Sequence, residues 1–286
     1  MDKTSGLIEV EGATLAYIIE GTGTPFMVVG SSIYDNRTFS QELRKHLQMI
    51  FVDMRPFAPE VTAEDISRFT LDSILNDIEQ VRKALGLAKV AIAGHSIHGL
   101  MAFEYAYKYT ENTSHLIMIS TPPFNSTKMI SEMLVFWESD ASEERKTTFA
   151  HKTEKMIEAG INVEGPATGD EFIKVYVGRS PIYWFDPAYD SSWIWDRVQV
   201  NIDYTYQVLG NIFNGYDISY KPSLLTVPTF IASGRYDYAV PYVTWNDRKG
   251  LFPNLSYHLF EKSGHTPQLE VPDDFNRKLI DWITAV

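Results

Sequence analysis

The chain has 286 residues, 44% hydrophobic and 22% charged, with a formal net charge of −12 and no cysteine. That length suits one large domain or a domain with an insertion, and the missing cysteines exclude disulfides, thiolate nucleophiles and Cys-ligated zinc. The acidic balance serves solubility, disfavours a nucleic-acid partner and suits a cationic ligand better than an anionic one.

The start Met1-Asp2-Lys3-Thr4-Ser5-Gly6 lacks the basic and apolar regions of a signal peptide, and no apolar stretch reaches the roughly 20 residues of a membrane span. A cytoplasmic protein without a membrane partner is the expectation. Leu7 to Val10 and Thr14 to Ile19, around Glu11-Gly12-Ala13, read as a hairpin. Phe26 to Val29 is continuously apolar, as a strand buried on both faces is. A helical segment is expected near Thr38 to His46, then a strand from Met49 to Val52 that ends at Asp53. Leu71, Ile74, Leu75, Ile78, Val81 and Leu85 line one face of a helix opened by Thr70 and closed by Gly86. Val90 to Ala93 is the next strand, Ile97 to Tyr109 a helix, and Leu116 to Ser120 a strand.

This alternation predicts a mostly parallel, doubly wound sheet. It breaks from about Pro123 to Lys221 and resumes with a strand from Pro228 to Ala232, another from Ser256 to Phe260, and a closing helix from Phe275 to Ile283. About 100 residues are thus expected to be an insertion, too long for a simple loop and suited to a helical cap.

Chemistry concentrates at three strand ends. Gly94-His95-Ser96-Ile97-His98-Gly99 follows an apolar strand and precedes a helix, so its serine would sit on a sharp turn as an exposed nucleophile. Gly234-Arg235-Tyr236-Asp237 follows the strand ending at Ala232, and Ser263-Gly264-His265-Thr266 follows the one ending at Phe260. Groups beyond the C-terminal ends of parallel strands converge on one edge. Ser96, Asp237 and His265 are therefore the candidate catalytic residues, in the order nucleophile, acid, histidine. Singly they would read as a helix cap, a turn acid and a surface-loop histidine.

In these motifs the chain resembles the α/β-hydrolase superfamily, among its capped members with a Gly-His-Ser elbow. The resemblance implies an α/β-hydrolase core over residues 1–122 and 223–286, a helical cap over 123–222, and no metal or organic cofactor. It also implies an oxyanion hole of the Ile97 and Ser32 backbone N–H groups. The sequence departs from the pattern in three places: Gly30 stands where a histidine is usual, Asp53-Met54-Arg55-Pro56-Phe57-Ala58 lacks glycines after the arginine, and His98 replaces a glycine. At His98 a packing role is expected before a catalytic one, and His95 reads as the ordinary residue before the nucleophile.

Thirteen aromatic residues between Phe172 and Tyr220, about twice the chain's average density, stand beside Asp186, Asp190, Asp196, Asp203 and Asp217. These rings and acids are either the cap's own core and helix caps, or a clasp for a bulky apolar molecule with a positive charge. Ser31, Tyr34, His98, Trp137, Trp184 and Tyr238 are the candidate substrate contacts, and Glu143-Glu144-Arg145 reads as a solvated run. The expected activity is hydrolysis of a large hydrophobic carboxylic ester or lactone through an acyl-enzyme. Family members that open macrolide antibiotics are similar in layout, which carries an expectation of antibiotic resistance. Acyl-homoserine lactonase, carbon-carbon hydrolase and proline iminopeptidase remain open, as does a receptor-like binder with little turnover on the same fold.

Overall fold

The opening hairpin is longer than its apolar residues indicate, because β1 (Lys3–Val10) pairs antiparallel with β2 (Ala13–Glu20) from Lys3↔Glu20 to Val10↔Ala13. The structure, a computed structural model, describes residues 3–61, 66, 68–221 and 223–285. The first two residues of the polar start, the expected segment limit at 222 and the terminal residue 286 lie outside them. The remaining strands are β3 (Thr24–Gly30), β4 (Leu47–Asp53), β5 (Glu60–Val61), β6 (Val90–His95), β7 (Thr113–Ile119), β8 (Phe124–Asn125), β9 (Tyr216–Asp217), β10 (Thr229–Gly234) and β11 (Leu255–Phe260). The main sheet runs β1-β2-β4-β3-β6-β7-β10-β11, with β5 against β2. It is antiparallel among β1, β2 and β4 and parallel from β4 onward.

Successive side chains of a strand point to opposite faces, and β3 divides its run accordingly. Met27 and Val29 join one core with Ile50, Val52, Ile92 and Leu116, while Phe26 and Val28 join another with Met49, Phe51, Ala91 and Ile117. Such a doubly buried sheet needs helices on both faces. Of α1 (Tyr34–Thr38), α2 (Leu71–Ala84) and α3 (His98–Lys108), the last two cover the first core. Thr70 caps α2 through Ser73 N–H, and Ile74, Leu75, Ile78 and Val81 are buried as their spacing predicts. Gly86 closes it with a positive φ of 66°.

The helix expected near Thr38 to His46 is not formed as such. Helix α1 ends at Thr38, Phe39 is extended, and a single 3-10 turn covers Leu43–Lys45. Side chains take the carbonyls a longer helix would use: the Thr38 hydroxyl donates to Asp35 O, and the Arg44 guanidinium donates to Asn36, Phe39 and Ser40 O and to Glu20.

Between β7 and β10 lie α4 (Thr127–Asp140), α5 (Glu143–Glu158), α6 (Gly169–Gly178), α7 (Ser180–Tyr183) and α8 (Ile202–Tyr206), the last continuing into a π-helical stretch over Gln207–Ile212. The two ends of this segment are tied together where β8 pairs with β9 and Ile218 N–H donates to Pro123 O. Arg145, expected in a solvated run, is buried, and its guanidinium donates to the carbonyls of Pro181, Trp184 and Phe185, which locks α5 to the end of α7. Two helices end the chain, α9 (Pro267–Glu270) and α10 (Pro272–Ala285); α10 covers the second core with Phe275, Leu279 and Ile283.

Candidate active site

Strand β6 ends at His95 and α3 begins at His98, so the chain turns through Ser96 and Ile97 alone. Ser96 has φ of 57°, a left-handed conformation that costs a non-glycine residue about 1–3 kcal/mol and persists only where the surroundings enforce it. Here Ser96 N–H donates to Ile119 O at 2.8 Å and Ser96 O accepts from Gly99 N–H at 3.0 Å. Glycine is required on both sides, because a Cβ at Gly94 would meet the His98 carbonyl and one at Gly99 would meet Thr121. Ile97 stands just before α3, where helix N–H groups have no intrahelical acceptor.

Asp237 is fully buried beyond β10 and His265 lies beyond β11. His265 Nδ1–H donates to Asp237 Oδ2 at 2.8 Å, while Asp237 Oδ1 accepts from Ala239 and Val240 N–H at 3.0 and 2.8 Å. This bond leaves the His265 Nε2 lone pair for chemistry, and His265 and Ser96 line one cavity. The His265 peptide is itself held: its N–H donates to Tyr183 O at 2.5 Å and its carbonyl accepts from His95 Nε2–H at 2.7 Å. A carbonyl can only accept, so His95 carries its proton on Nε2. Burial and the neighbouring His265 push His95 well below the usual histidine range, and burial pushes His98 down to about 4. Both are neutral at pH 7.

Glu270 is a residue that sequence reasoning missed. Its Oε1 accepts from Gly264 N–H, Thr266 N–H and Ser263 Oγ–H at 3.0–3.1 Å, gripping the loop on both sides of His265, and its Oε2 accepts from Phe185 N–H at 2.7 Å. Glu270 stands four residues after Thr266 at the end of a short helix, so the Ser/Thr-x-x-Glu capping spacing that would have drawn attention to it is absent.

The loop after β3 corrects one expectation. Ser32 N–H donates to Asp53 Oδ1 at 2.5 Å and Ser32 does not line the cavity, so the second oxyanion donor expected there is committed elsewhere. Ser31 N–H is likewise taken by Asp35 Oδ2 at 2.7 Å. Asp35 and Asp53 were not singled out in the sequence for this purpose. Burial pushes each up to about 7, against the hydrogen bonds they accept.

Two departures from the family pattern prove to be one feature. A Cβ at Gly30 would collide with Asp35 Oδ2 and would lie 3.5 Å from His98 Nδ1. The missing side chain at 30 leaves the room that the extra side chain at 98 and the Asp35 carboxyl occupy. The elbow is intact because the His98 ring turns toward this space and Phe57, with ring centroids 5.6 Å apart.

The cavity has a volume of about 300 Å³. Ser31, Tyr34, Asp35, Phe57, His98 and Val240 are on its core side, and Met133, Phe172, Tyr176, Tyr183, Trp195 and Val208 come from the segment between β7 and β10. Of the expected contacts, Ser31, Tyr34 and His98 therefore reach it, and Trp137, Trp184 and Tyr238 do not. Trp184 is 1% exposed in an apolar cluster, Trp137 packs on Phe149 and Tyr238, and the Tyr238 hydroxyl donates to Asp140. None of Asp186, Asp190, Asp196, Asp203 and Asp217 lines the cavity. Asp186, Asp190 and Asp217 accept backbone N–H groups two residues on, and Asp217 also pairs with Arg248, so these three work as turn and structural acids.

Comparison with known proteins agrees with this architecture. A family model described as alpha/beta hydrolase fold matches residues 21–272. The chain is similar to the AB hydrolase superfamily protein YclE of Bacillus subtilis (strain 168), 36% identical over 98% of this chain and 99% of that one. It is also similar to a proline iminopeptidase of Heyndrickxia coagulans, 26% identical over 99% of each. Among solved structures, an alpha/beta fold family hydrolase from Bacillus anthracis str. Sterne superposes with a TM-score of 0.72 at 19% identity, over 98% of this chain and 99% of that one. Among the described residues no helix is long and apolar enough to cross a membrane, and no group of three or more acidic or histidine side chains could hold a metal ion.

Proposed function

The chain belongs to the alpha/beta hydrolase fold family, and on that premise we propose that it is a serine hydrolase cleaving a carboxylic ester or lactone through an acyl-enzyme. One observation carries this reading: Ser96, in a strained turn, opens on the same cavity as a histidine whose Nδ1–H is held by a buried carboxylate. His265 Nε2 takes the Ser96 Oγ proton as that oxygen attacks the carbonyl carbon, and Asp237 stabilises the imidazolium. The proton passes to the departing alkoxide. Water, deprotonated by His265, then attacks the acyl-enzyme, releasing the acid and returning the proton to Ser96 Oγ.

Ile97 N–H serves the oxyanion. A second donor from Ser32 requires Asp53 to release that amide, and each such donor is worth about 3 kcal/mol of barrier. The residues between β7 and β10 act as the cap, and the rings they supply favour an apolar acyl or lactone portion. About 300 Å³ is the small end of the range for small-molecule sites. A macrolide would enter only with displacement of the cap helices, so a compact ester or lactone fits better.

Fluorophosphonate labelling tests the reading: covalent modification at Ser96, lost in Ser96→Ala together with hydrolysis of a short aryl ester, is expected. A folded protein with an inert Ser96 would remove it. The engaged Ser32 amide favours one alternative, a receptor-like binder with little turnover, which predicts that inert outcome. Similarity to a proline iminopeptidase favours a second, in which Ser96 is labelled but N-terminal prolyl amides turn over faster than esters.

A further inference from the structure

Among the described residues Asp35 is the one carboxylate on the cavity wall. It is 3% exposed, and Ser31 N–H is the one donor described for its carboxyl group. Among the described residues no ion pair joins it to a cation. Arg37, two residues on, spends its guanidinium on the carbonyls of Trp193, Ile194 and Asp196, Arg44 is bound to Glu20, and Arg55 to Asp77. Asp53 adds negative charge, and of the three histidines that line the cavity His95 and His98 are neutral while His265 is bonded through Nδ1 to Asp237.

A buried carboxylate without a counter-charge is costly, and charged groups in interiors are ordinarily paired. The surroundings are arranged for a partner that arrives through the cavity. Tyr34, Tyr176 and Trp195 form a ring cluster beside Asp35, with centroids of 4.6 Å for Tyr34 and Trp195 and 5.1 Å for Tyr176 and Trp195. Aromatic faces attract cations, most strongly where water is excluded. The position also lies close to the reacting group, because Asp35 Oδ2 abuts Gly30 and β3 pairs with β6 at Val29↔Gly94, two residues before Ser96.

We propose that Asp35 is a specificity-determining residue that accepts a charge-assisted hydrogen bond from an organic ammonium group, so that the preferred substrate is an ester or lactone bearing an amine. This rests on the serine-hydrolase reading for the bond cleaved and on Asp35 alone for the group recognised. It moves the expected cation site from the acids of the cap to the core.

The test uses phenethylammonium and 2-phenylethanol, similar in size and differing in charge, at pH 8 and constant ionic strength. Each is measured as a competitive inhibitor of 4-nitrophenyl acetate hydrolysis and by calorimetry on the Ser96→Ala protein. Phenethylammonium should bind at least about tenfold tighter than the alcohol, the range of hydrogen bonds to charged groups. The preference should fall to about one in Asp35→Asn and persist in Asp203→Asn, which removes an exposed cap acid and controls for the overall charge. Should Asp35→Asn not fold, Asp35→Ser gives the same ratio. Equal affinities in the wild type, or a preference that survives loss of Asp35, would overturn the proposal. Calorimetry on Ser96→Ala is independent of turnover, so an inert Ser96 would sink the hydrolase reading and leave this result standing.

Discussion

Replacing Asp35 by Asn should make the protein more stable at alkaline pH and leave it nearly unchanged at pH 5. Burial moves this carboxyl from 3.8 to about 7, and at 1.36 kcal/mol per pH unit that change amounts to about 4 kcal/mol. The folded-state value lies above the unfolded one, so between about pH 4 and 7 the folded chain keeps a proton that the unfolded chain has released. Stability therefore falls as pH rises through that window, and the loss is complete above about pH 7. Asn retains an oxygen for the Ser31 N–H but brings an amide that lacks a partner, a penalty of about 1–3 kcal/mol. At pH 8.5 the variant should be more stable by about 1–3 kcal/mol, or a melting temperature about 2–6 °C higher for a chain of this size. At pH 5 less than half of the charge relief applies, and the two proteins should agree within about 1 kcal/mol. Calorimetric or circular-dichroism melts at pH 5, 6, 7 and 8.5 read the difference. Parallel pH profiles for the two proteins would show that Asp35 is not a buried acid with a raised pKa. A stabilised variant that has lost its ammonium preference would be a residue kept for function at a cost in stability.

Two further outcomes follow from contacts around His265 and the elbow. Glu270→Gln keeps one acceptor oxygen where two serve now; kcat for a short aryl ester should fall about tenfold with KM little changed, the signature of an interaction felt in the transition state, and an unaltered kcat would deny Glu270 any part in positioning His265. Gly30→His should be nearly inactive, since its side chain meets Asp35 and His98, while Gly30→His with His98→Gly should recover part of the loss. A coupling of about 1 kcal/mol or more in the double-mutant cycle is expected for neighbours, and strict additivity would mean that the two positions do not share space.

Where the chain obeys local periodicity, its elements were legible. The face of α2, the buried runs of β3, β4 and β6, and the loops holding Ser96, Asp237 and His265 follow from residue spacing, because a strand repeats every two residues and a helix every 3.6. Lys3 to Gly6 went unread as strand because they have no apolar alternation and are held by pairing to β2. The helix expected near Thr38 failed for a different reason. Arg44 takes the carbonyls of Asn36, Phe39 and Ser40, and nothing in that stretch signals a side chain folding back on it.

The composition of the segment between β7 and β10 was plain and its geometry was not. Thirteen rings in a short span announce an apolar interior, but only packing decides that Trp195 faces the cavity and Trp184 the core. The same holds for charge: the acids counted between Phe172 and Tyr220 serve turns and salt bridges where their partners are described, while the carboxylate that shares the cavity with Ser96 comes from α1, near Gly30.

The sequence by itself determined the hydrolase architecture and the order of its three candidate catalytic residues, since strand ends in a parallel sheet converge whatever the intervening loops contain. Only the tertiary structure decided that Ser32 N–H is bound to Asp53, that Gly30 and His98 share one space, and that Asp35 is buried with no ion-pair partner among the described residues. Those are relations between side chains and backbone brought together across separate elements. Distance in space, which no local pattern encodes, is what gives them their energy.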